Sequence, residues 1–424
     1  MSTTTPAGTA GPWAPPVWTG RATHLSWLDA HTRSLLGFGA HVVADGGGAA
    51  YLDADGHPVP SAGVQTWITC RTVHVYALGT MLGVPGCGVL ARGALAGLTG
   101  PLRDPSHGGW FHAVDQHGRP DVAAGKSAYD HAFVLLAATS ALLAGLPGAP
   151  ELLDEACETF LHRFWDDDTG MTVDSWDVAF RRLDPYRGLN ANMHTVEAML
   201  AVADATGDNA WRDRAARIAV RVARLAEDHA HRLPEHFDAG WEPQLEYNAD
   251  RPSDPFKPFG ATVGHGLEWA RLLLQLEASL GTSAPATLRR AAGALFDRAV
   301  CDGWAVDGAD GFVYTTDWSG TPVVRDRMHW VVAEAISAAD ALHRSTGETR
   351  YAELYATWWD YAATRLVDHR RGSWHHELDP SNQPADRTWP GKPDLYHAVQ
   401  ATLLPRVPVG RSVARAVRDG EVSS

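Results

Sequence analysis

His265 and Glu268 stand three residues apart in Val263-Gly264-His265-Gly266-Leu267-Glu268, and His194 and Glu197 repeat the spacing in Asn192-Met193-His194-Thr195-Val196-Glu197. On a helix, residues at i and i+3 share a face. A carboxylate beside an imidazole raises its basicity and fixes its tautomer, which suits acid/base work. The pairs also resemble the Glu-x-x-His ligands of di-metal helical bundles, but here the order is reversed and bridging carboxylates are not evident. The expectation is a site without metal or cofactor. A third histidine closes Lys392-Pro393-Asp394-Leu395-Tyr396-His397. Pro393 favours an extended residue before it, Asp394 suits the cap of a following helix, and His397 then falls in the first turn. There the helix dipole disfavours the imidazolium, so His397 is suited to act as a neutral base.

Arg71 follows Trp67 by four residues and shares its helical face. A guanidinium beside an indole suits a hydroxyl or an anionic oxygen. Seventeen tryptophans are many for 424 residues, and several fall in connections rather than on apolar helix faces. Trp67, Trp330 and Trp389 lie beside the polar clusters and are candidates to pack on the C–H faces of a carbohydrate. His375 and His376 read as solvated loop histidines without a role.

These residues belong to a pattern. Six short clusters recur roughly every 65 residues, each opening an amphipathic run, and such a period marks a repeat architecture. They begin near Trp67, Tyr129, Asn190, Val263, Met328 and Pro393. Helical periodicity is clear over 132–146, 151–164, 195–206, 211–230, 267–280, 286–300, 330–345 and 351–366, with Gly207, Gly281 and Gly347 at expected helix ends. The long connections carry Asp-x-x-Gly turns at Asp53, Asp115 and Asp317 and read as hairpin-like excursions. The expected fold is all-α: an (α/α)6 barrel, a toroid of six helical hairpins with short β-hairpin excursions in the loops of one face. An open helical solenoid is the alternative. Residues 17–410 are expected to form the barrel, Met1 to Pro16 a disordered lead-in without signal-peptide features, and 411–424 a tail.

A composition that is 45% hydrophobic and 20% charged is that of a globular protein, and the formal charge of −14 argues against nucleic acid and anionic membranes as partners. Four scattered cysteines give neither a disulfide scaffold nor a zinc ribbon. No apolar stretch reaches membrane-spanning length, and the expected location is cytoplasmic. A nucleotide-binding glycine loop and a serine nucleophile elbow are also missing from the sequence.

The clusters resemble those of the N-acylglucosamine 2-epimerase superfamily, most closely its mannose isomerase and sulfoquinovose isomerase branch. The resemblance runs from about Trp27 to about Leu404. It rests on Trp67 with Arg71, Tyr129-Asp130-His131-Ala132-Phe133, Asn190 through Glu197, His265-x-x-Glu268-Trp269 and Lys392 through His397. It implies metal-independent chemistry on a free monosaccharide: ring opening, loss of the C2 proton and a cis-enediol intermediate. By motif, His397 would be the acid/base at C2 and C1. His265 paired with Glu268 would open the ring, Arg71 and His194 would hold O1 and O2, and Tyr129, Asn190, Trp67 and Trp330 would line the pocket. His329 departs from the pattern, which leads one to expect an aromatic residue there. No extra cationic set marks a sulfonate subsite, so D-mannose and D-fructose are the expected pair. A D-mannose/D-glucose 2-epimerase and a sulfoquinovose isomerase are the alternatives. More remote are a glycoside-cleaving enzyme using Asp130 and Glu268, and a helical-repeat binding protein. Whether the protein is a monomer or a dimer is left open by the sequence.

Overall fold

The computed structural model describes residues 17–424; the segment read as a lead-in lies outside the described residues. Six helical hairpins follow one another. They are α1 (Ala22–Phe38) with α2 (Thr66–Met81), α3 (Cys87–Thr99) with α4 (Ala128–Leu143), and α5 (Ala149–Arg163) with α6 (Leu189–Thr206). Then come α7 (Asn209–Asp228) with α8 (Val263–Leu280), α9 (Thr287–Gly303) with α10 (His329–Thr346), and α11 (Thr349–Tyr361) with α12 (Tyr396–Leu403). The even-numbered helices contact one another in sequence and α12 returns to α2, so the ring is closed. The fold is an (α/α)6 barrel rather than an open solenoid.

Composition sorts the two rings. The inner helix α4 is buried nearly all round, as Ala, Leu, Val and Phe dictate. The outer helix α7 buries only the stripe Trp211, Ala215, Ile218, Ala219, Val222, Ala223 and Ala226 and carries its arginines, exposed or half-buried, on its other faces. The inner helices start earlier than periodicity suggested, at Ala128, Leu189 and Val263, because the polar clusters are themselves their first turns.

A belt of short strands fixes those starts. The two residues before each of five inner helices pair antiparallel with the excursion of the next unit: 64–65 with 113–114, 126–127 with 175–176, 187–188 with 236–237, 261–262 with 315–316, and 327–328 with 377–378. The sixth junction closes the circle, with Lys392 N donating to Leu52 O at 3.0 Å. Gly260 (φ +88°) and Gly391 (φ +73°) stand where the chain enters this belt. A Cβ at either would collide with a carbonyl of the next unit, Thr316 or Leu52, so both positions require glycine.

The segment read as a tail is corrected. Residues Val413–Asp419 form a further helix, α13, that packs on α2, α4 and α6 and buries Val413, Ala414, Ala416 and Val417. Those apolar side chains close the end of the barrel remote from the belt, where His74, Leu136 and Gln275 lie near Val413 and Ala414.

Candidate active site

Because the belt sets all inner helices in register, equivalent positions meet at one level. The second residues of α2, α4, α6, α10 and α12 are Trp67, Tyr129, Asn190, Trp330 and His397. One turn deeper, at the sixth position, stand Arg71, His194, Glu268 and Glu334, with Phe133 between the first two. Together with His265 and Trp389 they line a cavity at the belt end of the barrel, Phe133 and Glu334 lying just behind its wall. Every residue expected at the site from the sequence is thus brought to one place.

A buried polar contact chain starts at His397. Its Nδ1 donates to Glu334 Oε1 at 3.0 Å, and Arg271 Nε donates to Glu334 Oε2 at 2.8 Å. All three are buried. A carboxylate accepting at Nδ1 leaves Nε2 of His397 as the unprotonated, basic nitrogen. Burial lowers the His397 pKa, against the raising effect of Glu334. Burial would raise the Glu334 carboxyl, but the Arg271 charge and the His397 contact outweigh it and hold it low. Glu268 goes the other way: burial, then the nearby Glu334 charge, push its carboxyl well above the usual carboxylate range, which favours the protonated acid.

Arg71 is clamped between Asp394 (3.2 Å) and the Tyr129 hydroxyl (3.0 Å), and its guanidinium lies 4.9 Å from the Trp67 ring centre. Burial works against its charge, but Tyr129, Asp394 and Tyr396 keep it protonated. Asp394 accepts from Tyr396 N at 3.0 Å, which ties this cluster to the start of α12. Burial lowers His194 to about 4, so it is neutral. The Trp330 ring touches both His265 (5.3 Å between ring centres) and His397 (5.7 Å). Phe256 and Trp389, 5.3 Å apart, flank Trp67 and narrow the cavity.

Residues 47–401 match the model of the N-acylglucosamine 2-epimerase family. The chain belongs to that family. A D-mannose isomerase of Thermobifida fusca is 54% identical over 403 residues, covering 95% of this chain and 98% of the relative. One of Pseudomonas cannabina pv. alisalensis is 45% identical, covering 94% and 97%. A solved D-mannose isomerase structure superposes with a TM-score of 0.83 at 27% identity, covering 92% of this chain and 98% of that one.

For a member of this epimerase family, the carboxylate partners differ from those the spacing suggested. His265 Nδ1 lies 3.0 Å from Glu235 Oε1, on the connection after α7, and not against Glu268. The contact is out of line for a hydrogen bond, and neither His265 Nδ1 nor the Glu235 carboxylate oxygens have a hydrogen-bond partner among the described residues. Glu268 instead approaches Arg271 (3.4 Å) and His194 (3.8 Å). The i, i+3 pair His194–Glu197 is in contact at 3.7 Å, but Glu197 is held by the Tyr396 hydroxyl and by Gln400 Nε2 at 2.9 Å. Glu235, Glu334 and Arg271 escaped the sequence reading: Glu235 is on a connection, and the other two sit among apolar helix residues without a motif. His376 is a further correction. It is buried, stacked on His329 at 3.9 Å, and lines the cavity. Asp130, nominated for glycoside cleavage, accepts from His112 (2.9 Å) and Ser127 (2.7 Å) and does not line the cavity.

His194, Glu197 and Glu268 bring ligand atoms within 4.8 Å of one another, a set able to hold a metal ion. Arg271 already places a buried positive charge beside Glu268 and Glu197, and Glu197 has two side-chain donors of its own. Among the described residues no helix is long and apolar enough to cross a membrane.

Proposed function

We propose that the protein is a metal-independent aldose–ketose isomerase interconverting D-mannose and D-fructose through a cis-enediol. The observation that carries this reading is the buried His397–Glu334–Arg271 chain at a cavity that also holds Arg71 and His194. The likeness to two D-mannose isomerases over nearly their whole length supports the choice of sugar.

In this mechanism His265, with the Glu235 carboxylate 3.0 Å from its Nδ1, takes the O1 proton and returns one to O5 as the C1–O5 bond breaks. His397 Nε2 then removes the proton from C2. The C2–H electrons form the C1–C2 double bond, and the former aldehyde oxygen O1 gains charge. Arg71 stabilises that charge, neutral Glu268 and His194 hold the oxygens, and Glu334 stabilises the imidazolium. Transfer of the O2 proton to the O1 oxyanion, together with delivery of the His397 proton to C1, forms the C2 carbonyl and gives the ketose. No net oxidant or reductant is consumed. Arg271 among the carboxylates supplies the charge that a metal would otherwise bring, which supports metal independence. Arg71 is the one Arg or Lys among the described residues lining the cavity, and Asp394 pairs with it. This favours a neutral hexose over a sulfonated one.

The test is conversion of D-mannose by the purified protein, by His397→Ala and by His265→Ala. Each variant is expected to lose at least about a hundredfold in turnover. A near-normal rate in either removes that histidine from the chemistry, and no fructose from the parent protein rejects the reading.

A further inference from the structure

His329 is the first residue of α10 and lines the same cavity, beside Trp330, yet the mechanism above does not use it. Its ring is fixed on two sides. It stacks on His376 (3.9 Å between ring centres, planes within 20°), and its Nδ1 lies 3.2 Å from the His376 carbonyl oxygen. A carbonyl only accepts, so Nδ1 carries the hydrogen and Nε2 is left with a lone pair. His376 is pinned in turn, its Nε2 donating to the Asp394 carbonyl at 3.2 Å. His329 is 5% exposed, and its Nε2 has no hydrogen-bond partner among the described residues. A buried acceptor without a donor costs free energy unless a ligand supplies one.

We propose that His329 is a specificity-determining residue, its Nε2 accepting the hydrogen of one hydroxyl of the bound sugar. This deepens the sugar-isomerase reading and rests on it. Two further observations support it. Burial, then the neighbouring His376 and His397, push the His329 pKa well down, so the ring is an acceptor and not a cation. Its ring centre is 6.4 Å from that of His397, close enough for both to touch one hexose without sharing a proton. An acceptor there selects a group that brings a hydrogen, and disfavours a deoxy carbon or an ionised oxygen.

The test compares the parent protein, His329→Phe and His329→Gln on D-mannose and its 3-, 4- and 6-deoxy analogues, by turnover and by calorimetric Kd. Phe keeps the stacked ring without the lone pair, whereas Gln can place an oxygen near the Nε2 position. The parent should bind one deoxy sugar about tenfold more weakly than D-mannose through loss of this bond. His329→Phe should lose that discrimination for the same sugar alone, through KM rather than kcat, and His329→Gln should restore part of it. An equal loss on all four sugars would show a structural role and overturn the proposal, as would unchanged discrimination. If the parent protein turns over none of these sugars the isomerase reading fails, while the Kd pattern still decides His329.

Discussion

Replacing Glu334 by Gln removes the charge and the acceptor of Arg271 Nε, while the amide oxygen can still accept from His397 Nδ1. In the parent protein the carboxylate sits 3.0 Å from the nitrogen that becomes cationic when His397 takes a proton. At an effective dielectric of about 20, full unit charges at that distance attract by about 5 kcal/mol. With roughly half a proton transferred at the transition state, about 2–3 kcal/mol of stabilisation is lost, or about a hundredfold in kcat. Arg271, 2.8 Å from the same carboxylate, would then face the imidazolium unscreened, so this is a lower bound. The pH profile carries a separate signature. Glu334 raises the His397 pKa and burial lowers it, so without the carboxylate the pKa falls further. The base works when neutral, and the acid limb of kcat/KM should therefore move to lower pH although the plateau drops. Steady-state kinetics between pH 4.5 and 8, with a melting curve to confirm folding, makes the measurement. A rate within threefold of the parent, or an acid limb that stays or moves up, would refute the relay.

Three other outcomes are expected. Burial and the Glu334 charge push Glu268 toward its protonated form, so Glu268→Gln should keep at least about ten times the turnover of Glu268→Ala; equal losses would show that its proton is not needed. His74, His131, His194 and His376 are each lowered by burial to about 4, against 6.5 when unfolded, so the unfolded chain binds more protons between those values. Their contribution to stability is full above pH 6.5 and is lost as the pH falls toward 4, and a melting temperature unchanged from pH 7 to 4.5 would contradict this. Truncation after Arg411 removes the buried face of α13, and calorimetry should show a fall in melting temperature of several degrees; an unchanged transition would mean that α13 does not help hold the barrel closed.

The barrel was legible because its repeat is visible in side-chain type. Trp67, Tyr129, Asn190, Trp330 and His397 open their helices at one register, and the clusters containing them could be read before any contact was known. The turn signal was legible only where glycine supplies the left-handed residue. Asp53, Asp115 and Asp317 build the same turn as Asp177, Asp238 and Asp379. In the latter three, Phe180, Trp241 and Asn382 occupy the positive-φ position, so the glycine cue is missing. Pairing was the least legible layer. The spacing of His265 and Glu268 states only that they can share a helical face. The radial geometry of the ring turns Glu268 toward Arg271 and His194, and brings Glu235 to His265 from the connection after α7. Glu334 and Arg271 become meaningful only when α8, α10 and α12 are side by side. Burial of His376 likewise depends on the belt strand Glu377–Leu378 that follows it.

The most direct measurement is proton NMR of D-mannose incubated with the protein in D2O containing EDTA. The account predicts D-fructose carrying deuterium at C1, at an undiminished rate, because His397 exchanges the proton it moves and no metal takes part. D-glucose deuterated at C2 as the first product would make the protein an epimerase. Fructose formed without solvent deuterium, or only after a divalent ion is restored, would contradict the mechanism at its centre.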